Sequence, residues 1–190
     1  MQHPRLLVSA ALLAVFATPA VARAQVALTG MVGGYVPAGS INQVTSGAQN
    51  VATTRNGTMS LGFDLDLGAL RGSVAYVSGT TIKDANRQNL GTGTMAAAAG
   101  DLVLRPLPRI LVQPYLIAGA GEKFYKVNQS TSFLATTTTR QFAWHGGLGA
   151  DVMLGSVGVA AELTDFVSKG SDAKWSVHDS FLMVGMKLRL

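Results

Sequence analysis

The chain has 190 residues, no cysteine, 22 glycines and a formal net charge of +5. Charged residues make up 13% of it, against ~25% in ordinary soluble domains, and glycine lies above the usual ~7%. The missing cysteines exclude a disulfide scaffold, and the small, scattered positive charge argues against a nucleic-acid partner.

The first predicted element is a secretory signal over residues 1–24. Arg5 precedes an apolar run from Leu6 to Ala17, followed by Pro19 and by small residues at Ala20, Ala22 and Ala24. The run is 12 residues long, short of the roughly 20 that a membrane-spanning helix needs. It is therefore expected to be cleaved, after Ala22 or after Ala24. The second site would leave about 166 residues (190 − 24) with a charge of +3, since Arg5 and Arg23 leave with the signal. That length suits one domain, 25–190.

From Val26 onward the apolar period is two, the signature of half-buried strands. Eight strands are predicted, at 26–36, 56–67, 71–78, 94–104, 111–125, 141–154, 157–166 and 178–190. The second is clearest, with Met59, Leu61, Phe63, Leu65 and Leu67 alternating with Ser60, Gly62, Asp64 and Asp66. Pro114 blurs the start of the fifth, because proline donates nothing to a ladder. The connections alternate between long (37–55, 79–93, 126–140, 167–177) and short (68–70, 105–110, 155–156). The long ones are polar and of low complexity, and they are expected to be mobile surface loops.

Period two alone does not say which face is outside. A lipocalin-like soluble barrel with an apolar lumen shows the same alternation and stands as an alternative. Against it, the face opposite the large aliphatics carries small residues rather than charges: Gly62, Ser73, Ala97, Ala99, Gly119, Gly121, Gly147, Gly149, Gly158 and Ala160. Small residues suit the crowded interior of an eight-stranded barrel. The bulky face is then outward, against lipid. Tyr76, Phe124, Tyr125, Phe142, Trp144, Phe166 and Trp175 fall near predicted strand ends, as interfacial aromatic girdles require.

The last strand carries a further pattern. Gly185, Leu188 and Leu190 match the Gly-x-x-hydrophobic-x-hydrophobic signal that outer-membrane barrels present to the barrel-assembly machinery, although Met183 stands where a polar residue is usual and Leu190 where an aromatic is usual. With its signal, strand count and loop rhythm, the mature chain resembles the small eight-stranded outer-membrane β-barrels, the group of the OmpA transmembrane domain and OmpX-like proteins. The resemblance implies an all-β, antiparallel up-and-down barrel with short periplasmic turns and four long extracellular loops. It also implies assembly through the last strand. It implies no particular activity, since such barrels range from anchors to adhesins and a few enzymes.

With the amino terminus in the periplasm, Asp64, Asp66, Arg71, Asp101, Arg105, Asp151, Lys187 and Arg189 fall near the periplasmic end of the lumen. Unpaired buried charges cost several kcal/mol each, so these four acids and four bases are expected to interlock as a structural plug. His145 and Glu162, both inward, are a candidate polar pair. His178 and Ser180 share the outward face and are similar to the His-x-Ser of outer-membrane lipid A deacylases. Phe181 replaces the asparagine that follows that serine, and no later strand exists to supply an acid, so they read as a polar strand cap. Three histidines without cysteine build no structural zinc site, and no phosphate-binding Gly-x-x-x-x-Gly-Lys-Ser/Thr loop occurs.

The expected protein is a non-enzymatic integral outer-membrane barrel without cofactor, monomeric, with a structural role or a surface role carried by loops whose ligand the sequence does not name. A narrow passive pore is the alternative within the membrane, because small lumen residues leave water-sized space.

Overall fold

A computed structural model describes residues 26–44, 50–83, 86–107, 111–130, 138–170 and 173–190. The predicted signal 1–24 lies outside these residues. Ten strands follow in chain order: β1 (Val26–Ala38), β2 (Ile41–Val44), β3 (Asn50–Arg55), β4 (Thr58–Leu67), β5 (Leu70–Lys83), β6 (Asn89–Leu104), β7 (Val112–Ser130), β8 (Thr138–Leu154), β9 (Val157–Lys169) and β10 (Trp175–Arg189).

Eight of these close an antiparallel up-and-down barrel in the order β1-β4-β5-β6-β7-β8-β9-β10. The seam is the β1–β10 ladder, in register from Ala27 opposite Arg189 to Ala38 opposite His178. Closure leaves the barrel no free edge and satisfies the backbone between strands, which is what allows a sheet to cross lipid. Two of the short turns, between β4 and β5 and between β8 and β9, hold Gly68 (φ 76°) and Gly155 (φ 71°). Left-handed glycines at such turns match the twist of the strands they join.

The strands outrun the predicted ones at the long-connection end. Residues 79–83, 89–93, 126–130 and 167–169, read as loop, continue β5, β6, β7 and β9. The first long connection also contains the β2–β3 hairpin, and β3 joins the sheet by pairing Thr54 with Lys83 and Arg55 with Ile82. Beyond the apolar band the outward face carries polar residues such as Thr81, Lys83 and Lys126, so the sequence alternation fades, while backbone pairing continues and Ile82, Leu90 and Val127 still pack inside.

Outward side chains are large and apolar, among them Leu61, Val74, Leu116, Leu148, Val159, Leu182, Val184 and Met186. The soluble alternative requires the opposite orientation. In water, each such side chain would forgo roughly 1.5–3 kcal/mol of burial. Of the predicted girdle aromatics, Tyr76, Phe142, Trp144 and Trp175 face outward, and Phe142 packs edge-on against Trp144 and Trp175 (centroids 5.4 and 6.3 Å apart). Tyr125 and Phe166 do not belong to a girdle. They are buried inside the barrel, because their strand positions share the inward parity of Lys123 and Thr164.

Candidate functional site

The interior of the barrel is a stack of two charged layers separated by an apolar one. Alternation delivers it: each strand turns every second side chain inward, so charges on different strands meet only where the ladders bring them level.

The layer toward the short turns centres on Arg71 of β5. Its Nε lies 2.7 Å from Asp66 Oδ1 and its Nη1 lies 2.5 Å from Glu162 Oε1 and 3.3 Å from Asp64 Oδ2. Lys187 of β10 bridges Asp66 and Asp151 at 2.6 and 2.8 Å. Arg105 stands 3.8 Å from Asp66 and donates to the Gly68 carbonyl at 2.9 Å. Tyr115 donates to Glu162 at 2.5 Å, and its ring faces Arg71, Arg105 and Lys187 at 4.9, 5.6 and 5.7 Å. A Cβ at Gly149 would collide with that ring. The small residues are thus the recesses into which larger side chains fit.

Seven of the eight charges expected in the plug lie inside the barrel: Asp64, Asp66, Arg71, Asp101, Arg105, Asp151 and Lys187. Asp101 stands slightly apart, accepting from Ser73 at 2.6 Å and lying 2.7 Å from His145 Nδ1. Arg189 is half-buried and joins no ion pair among the described residues. It sits where β10 ends, opposite Ala27 of β1, a residue with no charge to offer. His145 and Glu162 are likewise not brought together. The β8–β9 register places Phe166 opposite His145 and Gly149 opposite Glu162, a separation of four residues along the strand. His145 stacks on Phe166 instead (4.0 Å, 17°).

Above this layer lie Met31, Met95, Ala97, Phe166, Phe181 and Met183, all buried. His145, Phe166, Phe181 and Tyr35 form a continuous chain of ring contacts, stacked, edge-on and tilted in turn, at 4.0, 6.0 and 5.2 Å. The space expected opposite the small residues is therefore occupied: Met183 packs against Gly62, for instance.

The second charged layer, toward the long connections, was missed from the sequence. Asp179 is its centre. Oδ1 accepts from Tyr35 at 2.5 Å and Arg55 Nη1 at 2.9 Å, and Oδ2 accepts from Lys123 at 2.6 Å and from the Tyr125 hydroxyl. Lys123 also donates to the Phe166 carbonyl at 3.1 Å, and the Arg55 guanidinium lies 4.6 Å from the centre of the Tyr125 ring. Lys123 and Tyr125 share the inward parity of the predicted fifth strand, which was the available signal. Arg55 offers none, since it falls in the predicted connection 37–55.

On the outward face, Asp165 of β9 supplies the acid that no later strand was expected to provide. Its Oδ2 lies 2.6 Å from His178 Nδ1 and its Oδ1 accepts from Ser180 at 3.1 Å. Hydrolysis by such a trio requires the imidazole between serine and acid, so that a base faces the hydroxyl. Here the carboxylate occupies the middle and engages both partners. Among the described residues, no group of three or more His, Cys, Asp or Glu is placed to hold a metal ion.

Gly185, Leu188 and Leu190 lie along the seam. Leu188 and Leu190 point outward, whereas Gly185 faces inward, where a Cβ would overlap the Gly30 carbonyl oxygen. No protein-family model matches the chain, and no curated protein matches it in sequence. Among solved structures it is similar to the outer membrane protein OprG from Pseudomonas aeruginosa (TM-score 0.59, 15% identity, covering 88% of this chain and 96% of that one). Neisserial surface protein A aligns at a TM-score of 0.49 and 12% identity over 88% of this chain and 98% of that one. Ail, the attachment invasion locus protein of Yersinia pestis, aligns at 0.45 and 15% over 86% and 98%. The chain has the fold of the small eight-stranded outer-membrane β-barrels.

Proposed function

We propose that the chain is a non-enzymatic integral outer-membrane protein, exported with residues 1–24 as a cleaved signal, whose barrel anchors the long connections at the cell surface. The observation that carries the reading is the pairing of an apolar outer face with a filled interior. A closed barrel that offers aliphatics to its surroundings needs lipid, and a lumen crossed by two charged layers and an apolar one suits an anchor better than a conduit.

In this reading the short turns and the Arg71 layer lie at the periplasmic end, and the long connections with the Asp179 layer lie at the outer surface. The outward aromatics Tyr76, Phe142, Trp144 and Trp175 then mark the outer interface. Leu188 and Leu190, with Gly185 keeping the seam thin, serve the barrel-assembly machinery. The barrel works as a monomer in contact with lipid, without cofactor, and its role is structural or one of surface interaction. Asp165, His178 and Ser180 act as a polar cap where β9 and β10 leave the apolar band.

Fractionation with gel mobility tests the reading. The protein should follow the outer membrane and migrate differently before and after boiling. Recovery in the soluble fraction, without a mobility shift, refutes it. Planar bilayers test the anchor separately: no steady single-channel current is expected, and a reproducible unitary conductance would make the protein a pore.

A further inference from the structure

We propose that the long-connection end of the lumen holds a binding site for one small halide-type anion, built around Arg55. The inference goes beyond the role proposed above and does not depend on it.

The starting point is the charge count of the Asp179 layer. Arg55 and Lys123 are both buried, their side chains 2% and 0% exposed, and the one carboxylate between them is Asp179. That carboxylate is saturated. Two oxygens accept about four hydrogen bonds, and Tyr35, Arg55, Lys123 and Tyr125 already supply four. Arg55 therefore engages it through Nη1 alone, and its Nε and Nη2 are buried with no acceptor among the described residues. A buried guanidinium with idle donors, in a layer that carries one more cation than anion among the described residues, is missing an acceptor and a negative charge together. A water would supply the first. A monoanion supplies both.

The same guanidinium lines a small pocket between the barrel rim and the β2–β3 hairpin. Thr53, Thr80, Ile82, Thr94 and Lys126 contribute to its walls, and its cavity volume is about 10 Å³, roughly the room of one water-sized particle. A polyatomic phosphate or carboxylate needs more space and a fuller ring of donors. The Thr80 hydroxyl is committed to the Asn56 carbonyl, and Thr94 turns outward to accept from the exposed Asn128 amide. The Arg55 guanidinium is thus a buried cation beside largely apolar walls, Ile41 and Ile82 among them. That asymmetry suits a single weakly hydrated ion such as chloride or bromide.

The test uses the full chain folded in detergent micelles. Thermal unfolding is followed in sodium chloride, sodium bromide and sodium gluconate at one ionic strength. Halide should raise the midpoint with the logarithm of its concentration once above its dissociation constant, by about 5 °C at well above that constant, and gluconate should not. Arg55→Lys keeps a cation beside Asp179 but lacks the spare guanidinium donors, so it should lose the halide-specific rise. If that variant fails to fold, wild-type crystals grown in bromide give the answer, with an anomalous peak expected beside Arg55. Equal midpoints in halide and gluconate, an undiminished rise in Arg55→Lys, or a water without anomalous signal at Arg55 would each overturn the proposal.

Discussion

The two charged layers of the lumen are built with opposite polarity. Toward the short turns, the cation Arg71 sits among the carboxylates Asp64, Asp66 and Glu162, and Asp66 is also reached by Lys187 and Arg105. Toward the long connections, the carboxylate Asp179 sits between Arg55 and Lys123 with two phenols completing its shell. The difference lies in redundancy. In the first layer the most shared acid, Asp66, keeps two cations when it loses one. In the second, both cations depend on the same two oxygens.

Substitutions that remove one charge at a time put this contrast at risk. Asp179→Asn preserves shape and leaves two buried cations without their counter-charge, so it should cost about 3–5 kcal/mol, read by urea unfolding in lipid vesicles. A loss below about 1 kcal/mol would abolish the distinction between the layers. Lys187→Met should cost less, about 1–3 kcal/mol, because Asp66 retains Arg71 and Arg105 while Asp151 alone is orphaned. Were it to equal Asp179→Asn, redundancy would have no energetic meaning. Tyr115→Phe keeps the ring over Gly149 and removes the hydroxyl on Glu162, for a loss of about 1 kcal/mol. Arg189→Ala, outside both layers, should stay within about 0.5 kcal/mol, and a larger loss would extend the network to the end of β10.

The sequence made one layer legible and hid the other for a physical reason. Asp64, Asp66, Asp101, Asp151 and Lys187 lie inside the apolar band, where their large outward neighbours mark them as inward by alternation alone. Arg55 lies beyond the band on β3, a strand held by backbone pairing to β5 whose residues carry no periodic signal. Alternation assigns a face but not a height. His145 and Glu162 were correctly turned inward yet wrongly matched, because the four-residue offset between them is set by the β8–β9 register. The same holds for Asp165, whose partnership with His178 and Ser180 runs through the β9–β10 ladder that places Ser180 opposite it. Tyr125 and Phe166 show the converse error, in which an aromatic near a strand end was given to the interface although its parity faced the lumen.

The β1–β10 seam sets the order in which the barrel can be made. Every other ladder of the barrel except β1–β4 joins strands consecutive in the chain, while this one brings residue 27 against residue 189. Bringing distant segments together carries the largest chain-entropy cost, and that cost grows only with the logarithm of their separation. Until it is met, the growing sheet exposes two unpaired edges that pair readily with other chains. The strand that completes the cylinder is also the one that carries Asp179 and Lys187, one for each charged layer. Each layer is therefore completed only when the sheet becomes a barrel, although Arg71 already meets Asp64 and Asp66 within the β4–β5 hairpin, so that a half-assembled form is left electrostatically incomplete.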